Sequence, residues 1–520
     1  MSRRLELPRR GLFAGAAALI AAPAIIGARA SAAVPSSDLV VAAPDNLVTL
    51  DPADANDTLS QGVSRLILEG LFGFDQDMKV IPKLAENFTV NATATEFTFT
   101  LRQGVAFHDG TPFDAEAVRF NLERVANPDN HLKRQSLLAP LDHVEVLGRY
   151  TVKALLKQPF GAFIPTLAHP SLALGSPAAV AKYGKEIGRN PAGTGPFVFT
   201  GWTPDTLKLR ANPNYRVGGL PRVNSITIRS VPENGSRVAM LRTGEAHYVF
   251  PMPPEMVQSA RNDPKITIVD LPSIIGRGAS MNLMKPPFGD LRVRQALNYA
   301  VDKEAYIKVV FSGHGDQLDS PMPPKLAFYR RQGLWPFDLA KARQLLAEAG
   351  LAGGFETEII GTNNTVNTRG MEFLQQQFAQ VGVKLEVNPL EAGVLAAKVF
   401  SAATPEEATV RMETVGWSSS TGDADWCLRP LFAKAAWPPK MFNISYYENP
   451  EVDRDLAAAL ATADPEVRAR AYADAQARIW QDCPWVWLTV DHILDARAAN
   501  LAGAWRIPDG TLLLEDAHFI

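Results

Sequence analysis

Residues 82–118 read PKLAENFTVNATATEFTFTLRQGVAFHDGTPFDAEAV. Phe97–Leu101 alternates apolar and polar residues, the pattern of a strand buried on one face. Beyond Gly104, Val105–Phe107 reads as a second short strand, and Asp109-Gly110-Thr111-Pro112 has turn composition. Asp114 is placed to cap a helix carrying Ala117, Val118, Phe120 and Asn121. The His108-Asp109-Gly110 turn alone suggests catalysis or a metal, and a lone His before a tight turn reads first as structural.

Working outward, Asp38–Ala43 is strand-like, and Leu50–Gly70 is a loop feeding a helix that Asp57 or Thr58 can cap. Pro191–Phe199 is a Gly-rich loop entering a strand, Ser225–Val231 a strand, and Ser236–Gly244 a helix. Later come helices over Asp290–Asp302, Asp338–Gly350, Thr368–Val381 and Asp464–Gln481, with a strand at Val383–Val387. This alternation predicts an α/β fold. A chain of 520 residues exceeds the ~250–300 at which a single core stops growing, so at least two lobes are expected.

Lys+Arg 52 against Asp+Glu 55 gives no basic face for nucleic acid. Arg3, Arg4, Arg9 and Arg10 precede an Ala/Gly-rich apolar run broken by Pro23, and A-x-A sites stand at Ala28-Arg29-Ala30 and Ala30-Ser31-Ala32. Residues 1–32 therefore read as a cleaved export signal, of the twin-arginine type or an ordinary secretory signal with extra arginines. Neither cysteine, Cys427 or Cys483, is placed to carry a lipid anchor. They could form a disulfide in an oxidising compartment or remain two buried thiols. No Cys/His spacing suits zinc, no G-x-S-x-G or H-E-x-x-H is present, and no cofactor is implied.

The 82–118 run, GTGPF at 193–197, PFGDLRVRQALNYAVD at 287–302 and FDLAKARQLLAEAG at 337–350 together resemble extracytoplasmic solute-binding proteins of the peptide/nickel class, the receptors of ABC importers. The resemblance implies a two-lobed periplasmic binding protein fold of the large peptide-binding type. Lobe I would take 33–70, 189–272 and 489–520, with 71–188 as an extra subdomain, and lobe II 273–488. A two-strand hinge would lie near Leu271–Asn282 and Trp487–Leu494. LDPADANDTLSQ at 50–61, NPDNHLKR at 127–134, LKQPFGAFI at 156–164, VGWSSSTGDADW at 415–426 and LFAKAAWPPKMFN at 431–443 are similar to the glutathione-binding receptors of that class.

A zwitterionic peptide buried between lobes needs an Arg fork for each carboxylate, an acid for each ammonium, and aromatic walls. The Val415–Trp426 loop offers Trp417 as a wall, with Ser420 and Thr421 among the hydroxyls and N–H groups that suit carboxylate; its bland reading is a capped surface turn. Peptide receptors of the class place an amine-binding acid just after the Gly-Trp pair. Here that position is Ser420, which leaves Asp425 as the candidate amine partner. Asn56 and Thr58 stand where the class lines its ligand, or serve only to cap a helix. Arg134, Arg277, Arg369 and Arg411 are candidate carboxylate partners. Arg369 reads as lying at a helix start, Arg411 as equally able to pair with Glu413. Thr194 lies in a Gly-rich loop expected near the cleft. The functional expectation is a periplasmic, non-enzymatic, monomeric receptor that delivers glutathione or a related short peptide to an inner-membrane ABC permease. Alternatives are a same-class receptor for dipeptides, oligopeptides, nickel chelate or haem, a peptide-binding chaperone, or a secreted hydrolase.

Overall fold

Ile266–Met281 and Trp485–Ala498, strands of 16 and 14 residues, lie antiparallel at the centre of an eleven-stranded sheet. β-branched and aromatic residues concentrate at Ile266–Val269 and Trp485–Val490, as suits strand backbone. The computed structural model describes residues 37–520; the export signal, its cleavage sites and the start of lobe I lie outside the described residues.

Both central strands run through two halves of the sheet. On one side stand Tyr248–Val249, Asp38–Ala43, Ser225–Ser230, Thr206–Ala211 and Phe197–Thr203 in that order, here called lobe I. On the other stand Met412–Ser418, Glu356–Thr362 and Lys384–Leu390, here lobe II. Ile266–Pro272 pairs with His492–Ala498 beside lobe I, and Gly276–Ser280 pairs with Trp485–Val490 beside lobe II. The ladder is irregular between Pro272 and Gly276. Just before that break the Asp270 carboxylate accepts from Nδ1 of His492 (2.6 Å) and of His314 (2.8 Å).

A separate four-stranded antiparallel sheet, in the order Ala85–Val90, Glu96–Leu101, Thr151–Leu156, Leu141–Gly148, forms a subdomain with the helix Ala115–Ala126. Phe97, Phe99 and Leu101 are fully buried, so the alternation read from the sequence is the buried face. Asp114 caps the helix by accepting the Ala117 N–H. Val105–Phe107 is not a strand. Phe107 N–H donates to Thr111 O (2.8 Å) across a turn where Gly110 has φ +85°, so the chain folds back and only Ala106 bridges Pro112.

Three helix limits differ from the sequence reading. The helix expected at Ser236 spans Asn234–Thr243, because Glu233 accepts the Gly235 and Ser236 N–H groups. The segment Asp290–Asp302 holds the helix Leu291–Tyr299, and Asp302 caps a further helix, Lys303–Val310. The helix expected at Thr368 spans Thr365–Ala379 with Asn364 as its cap.

One apolar core links the subdomain to lobe II, joining Phe97, Phe99 and Phe163 to Leu428, Tyr472, Ile479 and Trp487. Trp480 stacks on Trp487 at 5.1 Å between ring centres. Cys427 and Cys483 are separate buried free thiols within these walls, so of the two alternatives the structure takes the unbridged one. Burial pushes the Cys427 thiol up to about 12.

The C-terminal return is fastened by charge. Asp495, wholly buried on its central strand, accepts from Arg506 Nε (3.0 Å) and from the Tyr248 hydroxyl (2.7 Å). Removing one partner of such a pair strands the other in low dielectric. Arg506→Met should therefore cost about 3–5 kcal/mol in urea denaturation; a loss under about 1 kcal/mol would show that Asp495 is solvated or otherwise compensated.

Candidate ligand-binding site

A cavity of about 600 Å³ opens between the subdomain and lobe II. Ser136, Leu137, Lys157, Gln158, Phe160 and Thr166 line one wall, and Trp426, Arg429, Lys440, Met441 and Phe442 the other. The walls meet around it at residues far apart in sequence. Gly161 N–H donates to Leu460 O (2.8 Å), and a Cβ at Gly161 would overlap the Thr462 carbonyl oxygen. Gly422, with φ +67°, sits against the ring of Phe74, where a Cβ would stand 2.9 Å from Cε1. Lys325 pairs with Asp77 across the same divide (2.6 Å).

The aromatic wall is braced from behind. Trp417 Nε1–H donates to Trp426 O (2.7 Å), and its ring lies 6.0 Å from that of Trp426 and 5.0 Å from that of Phe442. Trp417 thus fixes two rings that face the cavity. Trp426 is part of the cavity wall.

Ser420 meets the subdomain directly. The Ser171 N–H donates to His169 Nδ1 (3.0 Å), which leaves the ring proton on Nε2, facing Ser420 Oγ at 2.8 Å. His169 is wholly buried, and burial, then the nearby Arg134 and Arg65 charges, press its pKa down to about 3. The ring is neutral. Thr421 is buried, and its hydroxyl has no partner among the described residues.

The acids of the loop are taken. Asp425 is buried and bound by Arg429 through Nε and Nη2, both at 2.8 Å. Asp423 caps the helix Ala424–Phe432 and accepts from the buried Arg468 (2.8 Å). The expected ammonium partner, Asp425, instead orients Arg429 in the cavity wall. Among the described residues no Asp or Glu lines the cavity, whereas Lys157, Lys440 and Arg429 do. Lys157 and Lys440 have no carboxylate within ion-pair distance among the described residues.

Arg134 closes the edge of this region. Its Nε donates to Ala55 O (2.9 Å) and its Nη2 to Asn56 O (3.0 Å), so it pins the loop before the helix Thr58–Ser64. Asp57, and not Thr58, caps that helix by accepting the Ser60 N–H (2.7 Å). Asn56 and Thr58 are exposed.

The remaining candidates are placed elsewhere. Thr194 donates to Glu69 (3.1 Å) inside a lobe I charge network completed by Arg216 and Tyr215. Arg277 binds Asp491 through Nε (2.8 Å) and, in register with Gly416, lies on the sheet face opposite Trp417. Arg411 donates to Thr357 and to the Pro286 carbonyl, not to Glu413; Glu413 is buried on the same strand and burial pushes it up to about 8. Arg369 is exposed in the second turn of its helix, one turn past the N-terminus, so the dipole argument for an anionic partner lapses. The His108 turn is structural: His108 N–H donates to Gly193 O (2.8 Å) and its ring Nε2 bonds Gly195 O (3.0 Å).

Sequence reasoning passed over Lys157, Phe160, Thr166, His169, Arg429, Lys440, Met441 and Phe442. All but Thr166, His169 and Arg429 fall inside the stretches LKQPFGAFI and LFAKAAWPPKMFN that carried the finer resemblance.

The model of bacterial extracellular solute-binding proteins, family 5 (middle), matches residues 79–439. This chain belongs to that family. It is 46% identical over 487 residues to the glutathione-binding protein GsiB of Salmonella paratyphi A, covering 93% of this chain and 95% of that protein. It is equally 46% identical over 490 residues to GsiB of Escherichia coli K12, covering 94% and 96%. Among solved structures, HbpA2 from Haemophilus parasuis superposes with TM-score 0.85 at 27% identity, covering 93% of this chain and all of that one. The periplasmic binding protein DppA of Helicobacter pylori, in complex with the peptide STSA, gives TM-score 0.77 at 25% identity, covering 93% and 98%. Both neighbours share the mixed α/β two-lobed architecture described above.

The neutral His169 makes a signed prediction. Its folded pKa of about 3 lies below its usual 6.5, so the unfolded chain takes up the proton first as pH falls. Its contribution is complete above about pH 6.5 and is lost progressively toward pH 3, at up to ~1.4 kcal/mol per pH unit. Urea denaturation at pH 7.5, 6 and 5 should show wild type losing stability more steeply than His169→Gln. Parallel curves would mean His169 is solvated.

Proposed function

We propose that this protein is the substrate-binding subunit of a periplasmic ABC importer, capturing glutathione or a closely related short peptide between its lobes without chemical change. Lobe I is taken as 33–70, 189–272 and 489–520 with the 71–188 subdomain, and lobe II as 273–488, hinged at the irregular pairing of the central strands. The observation that carries the reading is the charge of the cavity: three cationic side chains and no carboxylate in its walls. Glutathione carries two carboxylates and one ammonium, so its net charge is negative and such a lining suits it. The identity to proteins named as glutathione-binding, over nearly the whole length of both chains, points to the same ligand.

On this reading Lys157 and Lys440 draw the carboxylates from the rim, and the Arg429 fork, aimed by Asp425, receives one inside. Trp426, Phe160 and Phe442 exclude water around the peptide backbone. The ammonium is left to hydroxyl and carbonyl oxygens, Thr166 and Ser136 being in reach of the cavity.

Thermal melts with reduced glutathione, dipeptides and a nickel chelate rank the ligands. Glutathione at a hundredfold excess over its Kd should add ~2.7 kcal/mol of stability. A midpoint raised by dipeptides or nickel and not by glutathione would overturn the ligand assignment and favour another member of the class.

In calorimetric titration, Lys157→Ala and Lys440→Ala should each weaken glutathione a few-fold at low salt, with the loss shrinking as salt rises, because exposed charges are screened. Trp426→Ala should cost more, about tenfold or above, and be indifferent to salt. Wild-type affinity in all three folded variants would place the ligand outside this cavity.

A further inference from the structure

The cavity does not end at its lobe II wall. An apolar groove of about 730 Å³ continues it, and the two share Arg429, Lys440 and Met441. Ala433, Ala436, Trp437, Pro438, Leu456 and Leu460 are among its apolar lining. The spaces also abut on the subdomain side, where Leu460 O accepts the N–H of Gly161, next to the cavity residue Phe160. The charged groups along the groove other than Lys440 have partners of their own. Lys434 Nζ pairs with Glu448 (2.7 Å), Asp453 accepts the Lys434 N–H (2.9 Å), and Arg429 is held by Asp425. Apart from Lys440 at the junction with the cavity, what remains facing the groove is hydrocarbon and one indole.

A tripeptide confined to the cavity leaves this surface uncovered. Glutathione has charge at both ends, and neither end can enter an apolar groove without a large desolvation cost. Its central cysteine is the one position from which an uncharged group can project while both ends stay among the cations. Met441, on the shared wall, is an unbranched thioether able to shift its rotamers around a passing substituent.

We propose that the groove receives the apolar S-substituent of a glutathione thioether, so that the protein binds S-conjugated glutathione more tightly than glutathione itself. This rests on the reading of the cavity as a glutathione site. Binding forms and breaks no covalent bond: the substituent is transferred from water to the groove.

Calorimetry with glutathione, S-methylglutathione and S-hexylglutathione tests it. At ~0.8 kcal/mol per buried methylene, even partial burial of the hexyl chain should make S-hexylglutathione bind about tenfold tighter than glutathione, with the S-methyl compound close to glutathione. Ala457→Trp and Ala435→Trp, at exposed groove positions, should fill the groove and cut the hexyl advantage to about twofold or less while leaving glutathione unchanged. Far-ultraviolet circular dichroism melts confirm that both variants fold. If S-hexylglutathione binds wild type no tighter than glutathione, or its advantage survives both variants, the inference is wrong although the function stands. If none of the three compounds binds folded wild type, the proposed function fails and the inference with it.

Discussion

Everything in this molecule is hung on two antiparallel strands that pass from one half of the sheet to the other. A pair of strands resists shear through its ladder of hydrogen bonds yet bends and twists where the ladder is interrupted. Here the interruption falls between Pro272 and Gly276, at the boundary between the parts that pair within each lobe. The Asp270 carboxylate, gripped by two imidazoles, ties the strands together immediately beside it. A second shift in register follows between Arg277 and Gly278, so the irregular part of the ladder spans Pro272 to Gly278.

Lobe contact then sets the character of the cavity. Two glycines allow close approach, Gly161 under the Thr462 carbonyl and Gly422 against Phe74, so the walls come together with no side chain between them. The acids nearest the cavity are spent on building it. Asp423 holds Arg468, and Asp425 holds Arg429, which leaves cations facing inward. A neutral buried histidine, His169, faces Ser420 across the divide between subdomain and lobe II. The electrostatic sign of the cavity follows from these pairings more than from composition, since the whole chain is nearly neutral.

Much of the architecture was legible in one dimension. The strand at Phe97–Leu101, the helix cap at Asp114, and the helices opened by Asp338 and by Asp464-Pro465 are local events governed by alternation and capping, and they stand where the pattern puts them. The misread pieces are also local. Three residues at Val105–Phe107 have strand composition, but a tight turn at Gly110 takes their hydrogen bonds. The cap at Asn364 outcompetes a start at Thr368 and moves Arg369 into the second turn.

The site divides differently. Sequence by itself picked out part of the walls, because 156–164, 415–426 and 431–443 carry a recognisable pattern and supply Lys157, Phe160, Trp426, Lys440, Met441 and Phe442. Trp417 and Ser420, singled out from the sequence, do not line the cavity: Trp417 packs behind Trp426 and Phe442, and Ser420 meets His169. Only the tertiary structure decided which side chains reach the cavity. Arg277 turns to the far face because strand side chains alternate, and Arg411 is drawn to a carbonyl. Thr194 is bound to Glu69, while Lys157 and Lys440, unremarkable in sequence, arrive at one rim from segments nearly three hundred residues apart. Pairing partners distant in the chain fix where a charge points, and no local pattern encodes them.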